Sequence, residues 1–240
     1  MTIEVLYPEW GNLYGELGNA MYLRRCLPEA RFVETHRHDE PFFAAERPDL
    51  ILMGAMPEAA QEQVIRLLKP YRDRLKALIA DDVPMLFTGN AGEVLFETIE
   101  NWDGSVIPGL DLLPFTAKRS HYDRYNGLTH GVFTDGADSF EVLGFRSQFT
   151  FWYGDNHDCA FVTCKRGIGM NPKSDREGIR SHRLIITEQL GPVLINNPEL
   201  TRKLFSWMGT DAVPAFEAEI LQAREARLRD FLDPHVKFTL

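Results

Sequence analysis

Residues 83–96, VPMLFTGNAGEVLF, decide how the rest of this chain is read. Val83, Met85, Leu86 and Phe87 make a short apolar run, and Val94, Leu95, Phe96 and Ile99 then recur at helical spacing. The pattern predicts a strand, a sharp turn and a helix. The turn, Thr88-Gly89-Asn90-Ala91-Gly92, is made of small residues. A nucleophile elbow is built that way, because a residue lifted above the end of a buried strand leaves little room for bulk on either side. Its apex here is Gly89, which carries no nucleophile, and a plain strand-to-helix turn calls on the same glycine freedom. Thr88 is the one hydroxyl in the turn, and with no histidine near it in sequence it reads as structural.

Upstream of the turn, Val64, Leu67, Leu68, Leu75 and Leu78 predict a helix or helix pair interrupted at Pro70. Before it, residues 48–53, PDLILM, form the near-continuous apolar run of a strand covered on both faces, ending at Gly54-Ala55-Met56-Pro57. Residues 2–7 read as a first buried strand, followed by a loop containing Gly11, Gly15 and Gly18. Asn19 can cap the next helix, whose stripe is Ala20, Leu23 and Leu27 and whose stop is Pro28; a short strand over 31–35 follows. Strands alternating with helices over the first hundred residues predict a doubly wound α/β fold with a mostly parallel sheet. Ligands of such sheets sit at the carboxyl ends of the strands, which places Gly54 and Gly89 on one rim.

After Asn101 the chain becomes richer in strand-like pieces, near 141–149, 160–163 and 184–187, with turn chemistry at Gly167-Ile168-Gly169 and over 174–178. A helix beginning with a proline covers 198–207. Phe216, Ile220, Leu228 and Phe231 mark an amphipathic, charge-rich helix over 214–231. We therefore expect one domain over residues 1–210 and a peripheral helix and tail over 211–240.

Composition narrows the function. With 240 residues, 44% of them hydrophobic and 25% charged, the chain can bury one large core. A net charge of -9, with the 26 basic residues scattered, argues against nucleic acid as a partner. No apolar run approaches the roughly 20 residues that cross a bilayer, and the N-terminus has neither a basic start nor an apolar signal core, so a cytoplasmic location without a membrane span is expected. Cys26, Cys159 and Cys164 are too few and too irregular for a disulfide framework or a paired zinc motif and are read as free thiols. His36 and His38 lack a third ligand nearby and are read as solvated. No metal or cofactor is expected.

Six segments together carry a family resemblance: residues 6–19, LYPEWGNLYGELGN; 48–55, PDLILMGA; 83–96; 107–113, IPGLDLL; 167–178, GIGMNPKSDREG; and 190–200, LGPVLINNPEL. Their order resembles that of class I glutamine amidotransferases of the cobyric-acid-synthase type, over roughly residues 3–207. Within that family the chain is most similar to the glutaminase subunit of lipid II isoglutaminyl synthases, which works with a Mur-ligase-like partner. The resemblance implies a flavodoxin-like, three-layer sandwich and amidation chemistry of the peptidoglycan or cobalamin type.

The departures from the family pattern fall on the chemistry. The family elbow resembles I-C-G-G-Y-Q; here Gly89 stands at the cysteine and Glu93 at the glutamine. The late motif resembles H-G-P-L-L-x-x-N-P, and Leu190 stands at the general-base histidine. A thiol must be paired with a base because the thiolate attacks and the leaving amine needs a proton. The oxyanion-hole segment, similar to G-G-G-Q-D, reads Gly54-Ala55-Met56-Pro57-Glu58, and Pro57 has no N–H to donate. A motif resembling G-F-E-N-H falls on Gly144-Phe145-Arg146-Ser147-Gln148, with Asp155-Asn156-His157 as an alternative placement.

The resemblance thus implies a vestigial site of Gly54, Ala55, Gly89, Asn90, Glu93, Gln148 and Leu190, with no catalytic residue among them. Cys26 belongs to the first helix, and His157 and Cys159 would share a strand face away from the elbow, a poor place for a relocated nucleophile. Two readings follow. One is a fold that has lost glutamine hydrolysis and persists as a binding, regulatory or scaffold subunit, with a Mur-ligase-like protein as partner. The other is an active amidotransferase releasing ammonia through a rearranged site.

Overall fold

A computed structural model of the chain describes residues 1–233 and residue 235, the side chain of Phe231 excepted. Its centre is a six-stranded sheet built from β1 (Thr2–Leu6), β2 (Arg31–Thr35), β3 (Leu50–Met53), β4 (Met85–Thr88), β13 (Ile179–Ser181) and β14 (Leu184–Thr187). The spatial order is β13-β14-β4-β3-β1-β2, all pairs parallel except the β13/β14 hairpin. The expected doubly wound α/β sheet is what forms.

Side-chain alternation sends each strand into two cores. Ile51, Met53, Met85, Phe87, Leu184 and Ile186 pack with Val64, Ile65 and Leu68 of α3 (Glu58–Leu68) and with Leu75, Leu78 and Ile79 of α4 (Arg72–Ala80). Leu50, Leu52, Leu86 and Ile185 face the opposite way, toward Ala20 and Leu23 of α1 (Leu17–Cys26), Val193 and Leu194 of α5 (Val193–Asn196) and Leu200, Leu204 and Phe205 of α6 (Pro198–Met208). A strand buried on both faces has to be apolar throughout, which is why LILM and MLFT carry no polar interruption before Thr88. The break at Pro70 falls as expected: a short 3₁₀ turn, Lys69–Tyr71, separates α3 from α4. A one-turn helix, α2 (Phe42–Ala45), begins where the backbone N–H groups of Phe42 and Phe43 donate to the buried carboxylate of Glu4.

Two smaller sheets cover the second half. One has the order β10-β7-β5-β6, from β5 (Phe96–Glu100), β6 (Val106–Pro108), β7 (Leu113–Arg119) and β10 (Thr150–Tyr153). The other has the order β12-β11-β8-β9, from β8 (Tyr125–Asp135), β9 (Asp138–Gln148), β11 (Val162–Arg166) and β12 (Arg176–Glu177). α7 (Glu217–Leu232) closes the described chain.

Three expectations are corrected. The helix after the turn is a seven-residue 3₁₀ segment, Gly89–Leu95, and Phe96 and Ile99 belong to β5. Apolar residues two and three apart fit either period; what decides is that Phe96–Glu100 finds partners on both edges, β7 and β6. Asn19 lies inside α1 rather than at its start, and the N-cap residue is Glu16. His157 and Cys159 lie in a turn, not on a strand face; the Cys159 N–H closes that turn on the Asn156 carbonyl. The C-terminal helix forms, but from Glu217. Of its four expected apolar positions, Phe216 precedes the helix as its N-cap and the Phe231 side chain lies outside the described residues, as do tail residues 234 and 236–240. No helix among the described residues is long and apolar enough to cross a membrane.

Candidate functional site

β3 and β4 run side by side and parallel, so the segments that leave them meet at one rim. Gly89 takes φ +58°, the left-handed region, and turns the chain abruptly away from the end of β4. An elbow needs that conformation at its apex, and glycine adopts it without strain. Around it a cleft of about 60 Å³ is lined by Ala55, Met56, Glu58, Gly89, Asn90, Glu93, Ser147, Gln148, Glu188 and Leu190, with Leu13, Tyr14, Phe149 and Thr150 completing the wall.

Six of the seven sequence-predicted site residues therefore share one cleft. The seventh, Gly54, sits behind it: a Cβ there would meet the Gly11 carbonyl oxygen and the Glu16 side chain, so its role is to let two backbone segments touch. β9 brings in Gln148 through an antiparallel bridge between Phe145 and Leu190, in which the Leu190 N–H donates to the Phe145 carbonyl at 2.8 Å. The alternative placement of that motif goes elsewhere, since the Asn156 amide donates to the Gly178 and Arg176 carbonyls.

No group in the cleft is a nucleophile paired with a base. A Cβ built on Gly89 would stand 2.7 Å from Ala55 Cβ and 3.1 Å from Leu190 Cδ2. The space that a side chain at the apex would need is filled. The Met56 N–H, the donor a strand end would turn toward an oxyanion, is taken by Asn90 Oδ1 at 2.9 Å, and the Asn90 amide returns a bond to the Met56 carbonyl at 2.8 Å. Pro57, next in line, starts α3.

The three thiols lie outside the cleft lining. Burial pushes all three up: Cys26 in α1, Cys159 beside Asp155 and Asp158, and Cys164 to about 12. A thiolate near neutral pH is disfavoured at each. His36 pairs with Glu9 at 3.0 Å on an exposed face, and no group of three or more metal-ligating side chains forms among the described residues.

What the cleft does hold is acid. Glu93 is fully buried; its Oε1 accepts from Trp152 Nε1 at 3.0 Å and its Oε2 from Gln61 Nε2 at 2.8 Å. Burial raises its carboxyl to about 7 against the pull of those donors and of Arg119. Glu188, at the end of β14, is raised well above the usual range by burial and by Glu93, with Arg146 opposing.

A third buried carboxylate, Glu16, holds the rim together. Glu16 accepts from Thr88 Oγ1 at 2.5 Å, from the Gly191 N–H at 2.7 Å and from the Asn19 amide at 3.1 Å. Thr88 is thus structural, as read. Sequence reasoning passed over Glu16, Glu188, Gln61 and Trp152. Glu188 stood one residue past a strand and Glu16 in a loop of ordinary composition; only the fold joins Glu16 to partners 72 and 175 residues away.

No protein-family model matches the chain. Over 194 residues it is 26% identical to the GatD subunit of the glutamine-hydrolyzing lipid II isoglutaminyl synthase of Staphylococcus aureus (strain N315), covering 79% of this chain and 76% of that protein. It is a glutamine amidotransferase-like protein, related to GatD. Solved structures agree on the fold. A crystal structure of a glutamine amidotransferase superposes with a TM-score of 0.52 at 13% identity, covering 86% of this chain and 99% of that one. A glutamine amidotransferase from Thermotoga maritima gives 0.53 at 12% identity, covering 97% and 94%. At the apex of the turn after β4 this amidotransferase-like chain has Gly89 in the left-handed region.

Proposed function

We propose that this chain is an amidotransferase-like subunit of the cobyric-acid-synthase type that has lost glutamine hydrolysis and serves as a binding, regulatory or scaffold subunit, with a Mur-ligase-like amidating enzyme as its partner. The observation that carries this reading is the packing at the apex: Ala55 Cβ and Leu190 Cδ2 occupy the place of a side chain on Gly89. A bare Cys-to-Gly change would leave a void beside the elbow. A filled apex, a leucine at the base position and an oxyanion donor tied to Asn90 all point away from the ancestral chemistry. The partner rests on the kinship with GatD, which is by name a subunit.

Without a covalent step the fold offers binding and partial charge stabilisation alone, worth on the order of 10³ to 10⁴ over water in enzymes stripped of their catalytic groups. Enzymatic accelerations begin near 10⁶, so the remainder on a slow amide hydrolysis falls below detection. The test is glutamate release from glutamine by the purified chain, alone and with a Mur-ligase-like candidate, which should not exceed a blank. Release that tracks protein concentration and disappears in Cys159→Ser would replace this reading with an active, rearranged site. Purification from the native cell should bring down an amidating ligase; its reproducible absence would remove the partner.

A further inference from the structure

The sheet of β6, β5, β7 and β10 has one packed face and one open face. Along β10, Trp152 pairs with Ala117 of β7 and points inward to Glu93, so Phe151 and Tyr153 point the other way, beside Lys118 and Thr116. β5 and β7 run parallel and end together, so the segments that follow them stand side by side, with Trp102 on one and His121 and Tyr122 on the other. The Trp102 and His121 rings lie 5.1 Å apart, and the His121 and Tyr122 rings 4.8 Å apart at 86°. With Tyr153 and a floor of Phe151 they line a groove of about 540 Å³.

Trp102 is 67% exposed and Tyr122 90%. A single exposed ring is ordinary, whereas a cluster of them marks a binding surface. Its supports are fixed. Arg119 Nη1 donates to Asn101 Oδ1 at 2.8 Å and ties the Trp102 turn to β7, while Ser120 Oγ accepts from the Asp123 N–H and donates to its carboxylate, holding the bend that carries His121 and Tyr122. The cations of the lining are already engaged. Lys118 pairs with Glu100 at 2.7 Å and stands over the Tyr153 ring, and Arg119, its side chain 8% exposed, is turned to Asn101 and Gln61. The one carboxylate of the lining, Asp123, is in no ion pair with a described residue. What stays open is a row of flat rings bearing the Trp102 N–H and the Tyr122 and Tyr153 hydroxyls, with an unpaired negative charge at its side.

We propose that this groove docks a proline-rich segment of a partner protein in the extended polyproline II form, with an arginine or lysine of that segment beside Asp123. Such a segment complements the lining on three counts. Its prolines have no N–H, so its carbonyls take up donors from the groove. Its pyrrolidine rings pack flat on aromatic rings, and its chain is extended before it binds, so little entropy is lost on docking. Other occupants fit less well. A nucleic acid stacks on exposed rings but needs free cations along its phosphates, and both cations here are engaged. A helix needs an apolar groove for its stripe, and here the most exposed rings carry polar edges. The site lies across β10 from Glu93 and the elbow cleft, and it stands whether or not the chain hydrolyses glutamine.

The test titrates the isotope-labelled full-length chain with the peptide Ac-RAPPAPPA-NH2. It follows the indole N–H resonance of Trp102, assigned with Trp102→Phe, and the backbone amides of Lys118 and His121. Ac-RAAAAAAA-NH2 keeps the charge without the prolines, Ac-EAPPAPPA-NH2 reverses the charge, and cellotetraose and an oligothymidylate offer other chemistries to the rings. We expect a saturable shift with the first peptide, a weaker one with the glutamate peptide and none with the rest. Trp102→Ala, read on the two backbone amides, should weaken binding at least about tenfold, a difference of 1.4 kcal/mol. Asp123→Asn should bring the arginine and glutamate peptides together. Trp102 and Asp123 stand at the surface, so an unchanged urea midpoint certifies that both variants fold. An absent or unsaturable response, an equal response to the alanine peptide, or a Trp102→Ala chain that binds as the parent does would overturn the site. So would saturable binding of cellotetraose or oligothymidylate in place of the peptide, or the same shifts on raising protein concentration alone, which would make the groove a contact between copies.

Discussion

Leu190 Cδ2 lies 3.1 Å from the point where a Cβ on Gly89 would stand, and Ala55 Cβ lies nearer still, at 2.7 Å. The two positions that the family motifs assign to thiol and imidazole thus face each other across a closed contact. Gly89→Cys meets two penalties. A non-glycine residue held at φ +58° costs about 1–3 kcal/mol, and the overpacked Cβ adds a comparable amount. We expect Gly89→Cys to lower the melting temperature by roughly 5–10 °C. Adding Ala55→Gly should recover part of that loss. A single variant that melts like the parent would mean that the apex is not closed, and with it the packing argument for lost hydrolysis would fall.

Glu16 should be the costliest single residue of the rim to remove. Its carboxylate joins the end of β4 through Thr88, the loop after β14 through the Gly191 N–H, and α1 through Asn19. Glu16→Ala strands three donors in the interior, for which we expect a loss of about 3 kcal/mol in urea unfolding. Glu16→Gln keeps the shape and one acceptor and should cost less than half of that. Equal losses in the two variants would show that charge rather than hydrogen bonding holds the rim.

The parallel sheet was legible because its strands are buried on both faces: PDLILM and VPMLF admit no other element of comparable length. The sharp turn at Gly89 was legible from its small residues. The helix expected at Val94–Ile99 was misread, because an apolar run that short fits two periods and its strand partners lie in later sequence. Glu93 was visible as a motif position, but the burial that raises its carboxyl comes from the fold, and the donors that oppose the rise, Gln61 of α3 and Trp152 of β10, stand 32 and 59 residues away. Cross-links over such distances have no local signature.

The C-terminal helix should be removable. α7 has no fully buried side chain among its described residues, and Ile220 is only partly buried against the core. Its recorded ties are polar. Arg224 pairs with Glu199 at 3.0 Å and donates to the Glu141 carbonyl, Arg227 donates to Asn196 Oδ1 at 2.6 Å, Glu217 pairs with Arg202, and just before the helix Ala215 accepts from the Tyr22 hydroxyl and donates to Cys26 Sγ. Ending the chain at Asp211 forfeits these bonds, a loss of about 1–3 kcal/mol at ordinary values. We expect a cooperative melt shifted down by roughly 3–10 °C. A broad, non-cooperative melt would place the helix in the core and overturn the division of the chain at residue 210.

The buried acids make stability fall as pH rises, and Glu93 sets the window. Its carboxyl is about 7 in the fold against 4.5 for the ordinary group, raised first by burial and opposed by Gln61, Trp152 and Arg119. Below 4.5 both the folded and the unfolded chain carry the proton. Between 4.5 and 7 the folded chain holds more protons than the unfolded one, so the slope of unfolding free energy with pH is negative; above 7 the full loss is in place. Glu4, Glu16, Glu177 and Glu188 are raised by burial as well and act in the same direction. Glu9, Asp135 and Glu141 are lowered, so their contribution is already complete above the ordinary carboxylate range and does not offset the slope. Urea midpoints should therefore decline from about pH 5 to pH 8, and Glu93→Gln, which cannot ionise, should flatten the decline. A parent chain whose midpoint rises across that interval, or a Glu93→Gln chain with an unchanged slope, would show that Glu93 enters the fold as an ordinary carboxylate.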